Sequence, residues 1–298
     1  MTINLNIDRH ANLVGSFWMI IAMAIFAIED VFIKIVSESL PIAQTMILFG
    51  LGGSLTFACV ALLKKERLLN PDVLSRPMRF RIFFEIFGRL FYALAITLTP
   101  LSAATVILQA TPIFVVAGAA LFFREKVGIR RWAAICVGLI GVVVIIRPGT
   151  DSFSMLSILA LLGMLGFAGR DLASRAAPAS ISTSILGVYG FFAVFIAGVL
   201  LSFWEDTPFI LPNAKTSLYL LGAILAGVSA YSGLMKAMRT GEVSAVTPFR
   251  YSRLLFGMAF GVLLFNEQVD ITMLIGCGLI IVSGLFILWK RKKPTSLS

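Results

Sequence analysis

The stretch SAATVILQATPIFVVAGAALFFREKV at residues 102–127 recurs as SAVTPFRYSRLLFGMAFGVLLFNEQV at residues 244–269. The two stretches align without a gap at an offset of 142, and nine of the 26 paired residues are identical. Glu125 pairs with Glu267 in this alignment. The chain is therefore predicted to contain two copies of one unit. If the offset holds an odd number of membrane crossings, the second copy is inverted relative to the first.

Apolar residues dominate the composition. Of 298 residues, 59% are hydrophobic and only 13% are charged, which leaves too little polar surface to cover a soluble fold. The apolar runs are about 18 to 25 residues long, enough for a helix to cross a hydrocarbon core of about 30 Å. We therefore predict a multipass membrane protein in contact with the lipid bilayer.

The apolar runs predict an all-α protein with ten transmembrane helices, arranged as two inverted five-helix repeats. Residues 13–147 form the first repeat and residues 154–289 the second. Residues 1–12 and 290–298 are predicted to be cytoplasmic tails. The predicted spans are 13–36, 42–63, 80–98, 101–123, 132–147, 154–174, 181–203, 215–238, 244–265 and 271–289.

Basic residues fix the predicted orientation. With both termini in the cytoplasm, 18 of the 25 Lys and Arg residues lie on the inner side and three lie on the outer side. Positively charged loops resist translocation, so this bias supports the assigned orientation. It also explains the net charge of +10 without a nucleic-acid partner. The four remaining basic residues fall inside spans: Arg89, Arg170, Arg250 and Arg253.

The sequence lacks the residues that several kinds of catalytic or metal site require. The only histidine, His10, precedes the first span, which argues against a histidine-ligated metal, a Ser-His nucleophile and a histidine proton relay. Each of the three cysteines lies in an apolar run and is predicted to pack there. We expect no metal, no cofactor and no catalytic residue.

Arg89 and Glu85 are the first candidate site residues. Ionisable groups inside a span cost about 2.5 to 3.5 kcal/mol each on insertion scales, so each needs a partner or a function. Arg89 lies near the middle of span three, and Glu85 precedes it at the i, i+4 spacing that lets the side chains meet. Arg89 either binds an anionic or carbonyl-rich substrate or forms a structural ion pair with Glu85.

Span nine carries a second candidate cluster. Arg250, Tyr251 and Arg253 follow Pro248, which frees a backbone carbonyl. The two arginines either face a central cavity or extend towards the headgroups. The 142 offset places Gln109 opposite Tyr251 and Tyr231 opposite Arg89. Tyr189 and Tyr231 are the aromatic residues that rank highest as substrate contacts, because a phenol needs a polar partner.

Two acid–base pairs are candidate gates. Span one matches span six at an offset of 141, which pairs Asp30 with Asp171 and Lys34 with Arg175. In each pair the acid precedes the base at i, i+4, the favourable order on a helix. The pairs form an outer and an inner gate or simply anchor helix ends. Glu29 and Arg170 are less certain members, and the candidates for proton coupling are Glu29, Asp30, Glu85 and Asp171.

Glycines and helix-end glutamates are predicted to be structural. Gly163, Gly166 and Gly169 recur at every third position of span six, and small residues at such spacing let membrane helices approach closely. Gly257 and Gly261 repeat this feature in span nine. Glu125 and Glu267 end equivalent spans, where capping a neighbouring helix or fixing the repeat fold is favoured over substrate contact.

Ten predicted helices in two halves, with Phe123–Val127 and Phe265–Val269 ending the fourth helix of each half, resemble the EamA-type branch of the drug/metabolite transporter superfamily. The segment Gly169–Arg175 looks most like bacterial riboflavin and S-adenosylmethionine permeases. The resemblance implies a permease of the bacterial inner membrane that moves small organic metabolites without hydrolysing ATP. The expected substrate is riboflavin or a similar heteroaromatic vitamin, with an amino-acid exporter or an S-adenosylmethionine carrier as the alternative.

Functions of other classes and the oligomeric state stay open at this point. A lipid-modifying enzyme inside the membrane would need a nucleophile with a base, or paired acids, at catalytic spacing, and the sequence has no such motif. A channel would need a filter sequence, and an inverted duplication serves alternation better than an open pore. The transporter is expected to be a monomer or a homodimer.

Overall fold

All regular structure in the described part of the chain is helical. The computed structural model describes residues 2–69, 71–122, 129–146, 155–175, 181–240 and 246–289. Within these ranges there is no β-strand. The predicted all-α class is therefore confirmed.

Eleven α-helices follow one another along the described ranges, together with two short 3₁₀ turns at Pro71–Leu74 and Thr247–Tyr251. The first helix includes residues 2–12, the predicted tail. The α-helices are α1 (Thr2–Ser37), α2 (Ile42–Leu63), α3 (Arg76–Leu98), α4 (Leu101–Leu108), α5 (Thr111–Phe122), α6 (Ile129–Ile146), α7 (Ser157–Arg175), α8 (Thr183–Ser202), α9 (Ala214–Thr240), α10 (Ser252–Phe265) and α11 (Ile271–Trp289).

Several helical stretches are suited to a membrane. By length and composition, four of those described could cross one: Ile42–Leu63, Leu101–Phe122, Thr183–Ser202 and Ala214–Met238. Trp132–Ile146 and Ile271–Ser283 are shorter apolar helices. These stretches agree with a multipass protein, and the count of ten crossings stays a prediction.

The predicted fourth span is divided into α4 and α5 at Gln109 and Ala110. Pro112 has no N–H to donate to the carbonyl of Leu108, and its ring crowds that carbonyl. The Thr111 hydroxyl donates to the Leu108 carbonyl at 2.5 Å instead. The carbonyl freed by the proline is thereby satisfied inside the apolar core.

The predicted ninth span also contains a change of helix type. It opens with the 3₁₀ turn, with Pro248 in its first positions, and continues as α10. Arg250 and Tyr251 therefore lie on the 3₁₀ turn, whereas Arg253 lies on α10. The expectation of one regular helix across these three residues is corrected, because proline removes the backbone donor that a regular α-helical turn would use.

Helices of the two predicted repeats pack against one another in reciprocal pairs. α1 packs on α9, and α3 packs on α7. Because α1 corresponds to α7 and α3 to α9 in the repeat, these two contacts are equivalent. α2 packs on α8, α4 on α10 and α6 on α11, and in each of these three pairs a helix meets its own repeat equivalent. A two-fold relation between similar units produces this reciprocity.

Glu267 caps a helix of the other repeat. Its carboxylate, just beyond the end of α10, accepts hydrogen bonds from the N–H groups of Leu101 at 2.6 Å and Ser102 at 2.9 Å. These N–H groups open α4 and lack partners within their own helix. The prediction of a capping role for Glu267 is confirmed, while Glu125 lies outside the described residues. Because the end of α10 meets the start of α4, these equivalent helices run antiparallel.

Glu205 caps α2 in the same way. It follows α8 and accepts hydrogen bonds from the N–H groups of Ile42 at 2.9 Å and Ala43 at 2.7 Å. At the opposite end of the same helix pair, Glu66 follows α2 and accepts a hydrogen bond of 2.6 Å from the hydroxyl of Ser182. Ser182 is the N-cap residue of α8. A carboxylate from each repeat thus holds the start of the equivalent helix in the other.

Candidate functional site

Glu85 lies at the centre of a buried ion-pair cluster. Its carboxylate is 3.2 Å from Arg170, 3.5 Å from Arg89 and 3.8 Å from Arg81. The predicted Arg89–Glu85 pair is therefore confirmed, and two further guanidinium groups join it. Buried charges inside a bilayer must be paired to be tolerated, and Glu85 serves three cations at once.

Close packing of α3 against α7 brings Arg170 to Glu85. A Cβ atom built on Gly88 would lie 3.0 Å from the backbone nitrogen of Phe167 and 3.1 Å from the backbone of Gly166. At Gly163, an added Cβ would lie 2.9 Å from the backbone nitrogen of Tyr92. Only glycine leaves room for two helix backbones at this separation. The predicted glycine seam on span six is confirmed.

Asp171 extends the cluster to the 3₁₀ turn. Arg170 donates to its carboxylate at 2.8 Å, and Arg250 lies 3.7 Å away. Arg250 therefore points into the protein interior, which is one of the two positions that the sequence left open for it. The guanidinium groups of Arg170 and Arg89 also lie over the ring of Phe167, at 4.8 and 5.7 Å from its centroid.

A second part of the cluster joins α1 to α10. Arg253 donates to Asp30 at 2.6 Å, and the hydroxyl of Tyr92 donates to the same carboxylate oxygen at 3.1 Å. The Arg253 guanidinium lies over the ring of Phe26, 5.0 Å from its centroid. Arg253, for which an interior and a headgroup position were both open, is thus held in the interior.

Glu29 lies between the two parts. Its side chain is only 1% exposed, and one carboxylate oxygen is 3.4 Å from Arg89. Arg89 is thereby shared between Glu29 and Glu85. We name the whole set the central ion-pair network, and none of its side chains is more than 27% exposed: Glu29, Asp30, Arg81, Glu85, Arg89, Arg170, Asp171, Arg250 and Arg253.

The central ion-pair network carries more positive than negative charge. Its nine residues comprise five arginines and four carboxylates, which gives +5 − 4 = +1 when all are ionised. A surplus guanidinium charge suits a ligand group that is anionic or rich in carbonyl oxygen.

Several buried polar atoms around the network have no hydrogen-bond partner among the described residues. Buried polar groups are nearly always satisfied in folded proteins, so a cluster of exceptions indicates a place for water or a ligand. Two such atoms belong to the network itself, Glu29 Oε2 and Arg253 Nε, and a third, Tyr251 OH, lies on the 3₁₀ turn next to Arg250.

A small cavity lies beside Glu29 and Arg89, between helices of both repeats. Its volume of ≈ 20 Å³ is enough for about one water molecule. A metabolite does not fit in this cavity unless its lining residues move apart. The lining residues are Glu29, Asp30, Ile33, Thr45, Met46, Phe49, Arg89, Tyr92, Ala93, Ile96 and Val194.

The predicted Asp30–Lys34 ion pair is wrong. The Lys34 ammonium donates to the carbonyls of Ile96 at 3.0 Å and Thr99 at 2.8 Å, at the end of α3. A cation is favoured beside unpaired carbonyls at a helix C-terminus, while Asp30 binds Arg253. The equivalent Asp171–Arg175 pair is not tested, because the side chain of Arg175 lies outside those described.

Two predicted substrate residues are not brought into the network. The Tyr189 hydroxyl donates to the carbonyl of Leu68 at 3.1 Å, and its ring packs on a separate apolar cluster with Ile185. Gln109 lies buried at the break between α4 and α5. Tyr231 is closer to the network, with its hydroxyl beside Arg81.

Arg81 is a network residue that was missed in the sequence. It was counted among the basic residues of the inner side, at the start of the predicted span 80–98, but α3 already begins at Arg76, with a proline in its first turn. Proline at the start of a basic segment is a helix-start signal, and it places Arg81 one turn before Glu85. Phe167, whose ring lies beneath two guanidinium groups, could not be recognised as a site residue from the sequence, where it is one apolar residue among others.

A family model and several relatives match almost the whole chain. The EamA-like transporter family model matches residues 13–147 and 154–289. A Vibrio cholerae protein named riboflavin transporter is 27% identical over 295 residues, and the match covers 96% of each of the two chains. A Rickettsia prowazekii protein named S-adenosylmethionine uptake transporter is 26% identical over 289 residues, or 95% of each chain.

One solved crystal structure shares the fold. It is 17% identical in sequence, with a TM-score of 0.64, and the match covers 96% of this chain and 100% of the other. At this level of sequence identity, the match shows that the two chains share a fold and says nothing about a shared function.

Proposed function

The chain belongs to the EamA-like transporter family, and from that membership we propose that it carries a small organic metabolite across the bacterial inner membrane by alternating access. Membership makes it a multipass membrane transporter and not an enzyme. The substrate, the transport mechanism and the orientation in the membrane are the parts that we propose.

Riboflavin, or a similar heteroaromatic vitamin, is the first proposed substrate. The observation that carries this choice is the match to a riboflavin transporter of Vibrio cholerae over 96% of both chains. The chemistry of the central ion-pair network supports it. Guanidinium groups donate well to carbonyl oxygens, which riboflavin presents along one edge of its flat ring. Phe167, Tyr92 and Phe26 offer ring faces beside those donors.

An S-adenosylmethionine carrier is the second candidate, because Rickettsia relatives carry that name at about the same identity. This substrate has a sulfonium and an ammonium group beside one carboxylate. A network with a surplus positive charge would repel the two cationic groups, so we rank it second. An amino-acid exporter remains a further alternative of the same fold.

Alternating access is proposed from the inverted relation of the halves. The antiparallel packing of α4 against α10 and the reciprocal helix pairs support two units that face in opposite directions. We propose residues 13–147 and 154–289 as these units, ten membrane crossings in all, and both termini in the cytoplasm as the basic residues indicate.

Within this mechanism we propose a binding site on the central ion-pair network. Arg89, Arg250 and Arg253 would donate to the substrate, and Glu85 would hold Arg89 in place. The Tyr251 hydroxyl, which has no partner among the described residues, and the Tyr231 hydroxyl, which lies beside Arg81, would complete the site. Lys34, Asp171 and Arg175 are proposed to lie at the gates.

The proposal is tested with the purified chain in lipid vesicles. Uptake and efflux of radiolabelled riboflavin are measured against empty vesicles, with S-adenosylmethionine and single amino acids as competitors. We expect riboflavin to exchange across the membrane, and we expect Arg89→Gln to abolish the exchange while the protein inserts at normal levels. Exchange of S-adenosylmethionine alone would reverse the ranking, and full transport by Arg89→Gln would remove Arg89 from the site.

A further inference from the structure

We infer that Glu29 binds the proton whose movement is coupled to transport, and that substrate binding at Arg89 triggers its protonation. The inference rests on the proposed function, since it takes Arg89 as a substrate-binding residue. The sequence offers four intramembrane carboxylates for this role and does not distinguish them. The structure does, through the number and distance of the cations that each carboxylate faces.

Three of the four carboxylates each have at least two ion-pair or hydrogen-bond partners. Glu85 faces three guanidinium groups, and Asp171 faces two. Asp30 accepts hydrogen bonds from Arg253 at 2.6 Å and from Tyr92 at 3.1 Å. Charge-assisted hydrogen bonds of this length favour the ionised form.

Glu29 is held much more weakly. Arg89 is the only cation that forms an ion pair with it among the described residues, at 3.4 Å, and its second oxygen, Oε2, has no hydrogen-bond partner there. The side chain is 1% exposed, so bulk water does not surround the carboxylate. A carboxylate with one distant counter-charge and a free oxygen is the member of the set best able to take up a proton.

The charges around Glu29 have both signs. Asp30, next to it on α1, adds a negative charge, and Arg253 on α10, which is paired with Asp30, adds a positive one. Glu85 on α3 competes for Arg89, and Tyr231 on α9 lies near Glu85. The cavity beside Glu29 receives only uncharged side chains from α2 and α8: Thr45, Met46, Phe49 and Val194.

Arg89 provides the link to substrate. It lies 3.4 Å from Glu29 and 3.5 Å from Glu85, so neither contact is optimal. Glu85 keeps Arg170 and Arg81 when Arg89 moves away, whereas Glu29 keeps no ion pair. A substrate oxygen that draws Arg89 off therefore leaves Glu29 as an uncompensated buried anion, and a proton from water bonds to Oε2. When the substrate leaves, Arg89 returns and the proton passes back to water on the other side.

The cavity can hold water beside the Glu29 carboxylate. It is also lined by Ile33, Thr45 and Ile96. Its room for about one water molecule is enough for a proton donor next to Oε2 and too little to admit substrate.

A first test needs no substrate. Dicyclohexylcarbodiimide is an apolar reagent that reacts with protonated carboxyl groups inside membranes, and the labelled residue is found by peptide mass spectrometry. In the wild-type protein we expect label on Glu29 and not on Glu85, increasing as the pH falls. Arg89→Gln should increase the label on Glu29 at neutral pH, because the counter-charge is gone. Label confined to Glu85 or Asp171, or none on Glu29 at any pH, would overturn the inference.

A second test separates coupling from transport. In vesicles, riboflavin exchange without a gradient is compared with riboflavin accumulation driven by a pH gradient, for wild type, Glu29→Gln and the exposed control Glu38→Gln. We expect the ratio of accumulation to exchange to fall in Glu29→Gln by up to about tenfold for each unit of the pH gradient, the limit for one coupled proton, and to stay at the wild-type value in Glu38→Gln. An unchanged ratio in Glu29→Gln would overturn the inference. Absence of riboflavin exchange in the wild type would instead count against the proposed substrate, and the carbodiimide test would still decide the role of Glu29.

Discussion

The carboxylate of Asp30 and the guanidinium of Arg253 lie 2.6 Å apart although 223 positions separate them in the sequence. The contact joins α1 of one repeat to α10 of the other, and among the described residues the same carboxylate oxygen has one further partner, the Tyr92 hydroxyl. Both side chains are largely buried, at 3% and 14% exposure. The pair is therefore a strong link between the two halves of the transporter.

Removing either partner of this pair should destabilise the protein more than removing both. Asp30→Asn leaves Arg253 buried without its anion, and Arg253→Gln leaves Asp30 without its cation. Each single change should cost about 3–5 kcal/mol, and the double variant should recover part of that loss. Thermal unfolding of the four proteins in detergent measures the coupling. Additive losses would mean that the two charges do not depend on each other.

Gly166→Ala should disrupt the network without touching a charged residue. An added Cβ would overlap the backbone of Gly88, so α3 and α7 must separate and Arg170 must withdraw from Glu85. Such overpacking typically costs about 1–3 kcal/mol. We expect a lower Tm and impaired riboflavin exchange. Gly190→Ala is the matched control, because a Cβ there meets nothing within 4 Å; equal effects from both glycines would contradict the seam.

The architecture was more predictable from the sequence than the site. The 142 offset indicated which helices correspond, and the glycine spacing of span six indicated the packed face of α7. Both depend on regular periodicity, which the sequence displays directly. The same holds for Arg89 with Glu85, since neighbours at i, i+4 meet on any helix.

Contacts between helices distant in sequence were not predictable in this way. The i, i+4 rule paired Asp30 with Lys34, but packing offered Asp30 a better partner on α10 and offered Lys34 the free carbonyls of α3. Tyr189 was ranked highly because its hydroxyl needed a polar partner. The carbonyl of Leu68, which supplies one, belongs to a loop that the sequence pattern does not place.

Glu267→Ala and Glu205→Ala should each weaken the junction between the repeats. Each glutamate binds two N–H groups at the start of a helix in the other half, and loss of a cap costs about 0.5–2 kcal/mol. We expect a lower Tm for both, partly restored by glutamine, which still accepts hydrogen bonds. Asp206→Ala, an exposed neighbour of Glu205, is the control. A wild-type Tm in both capping variants would show that these bonds are replaced by water.

The tyrosines should separate substrate binding from stability. Tyr251→Phe removes a buried hydroxyl that has no partner among the described residues, so it should leave Tm unchanged and raise the KM for riboflavin by about tenfold, the worth of a typical hydrogen bond. Tyr189→Phe removes the bond to Leu68 and should lower stability by about 1 kcal/mol with an unchanged KM. Uptake kinetics and thermal unfolding on both variants check this. The opposite pattern would move the site to Tyr189.

Cysteines at two repeat-equivalent positions should be labelled from opposite sides of the membrane. Lys126 and Gln268 differ by the 142 offset, and inverted halves place equivalent loops on opposite faces. Cys59 and Cys136, which are exposed, are first replaced by alanine, and Lys126→Cys and Gln268→Cys are introduced one at a time. In intact cells a membrane-impermeant maleimide should label position 268 alone, and position 126 should react only after the membrane is opened. The control, Arg67→Cys, lies in the loop after α2 and should behave like position 126. Labelling of 126 and 268 from the same side would make the halves parallel, and the proposed alternation between two inverted units could not stand.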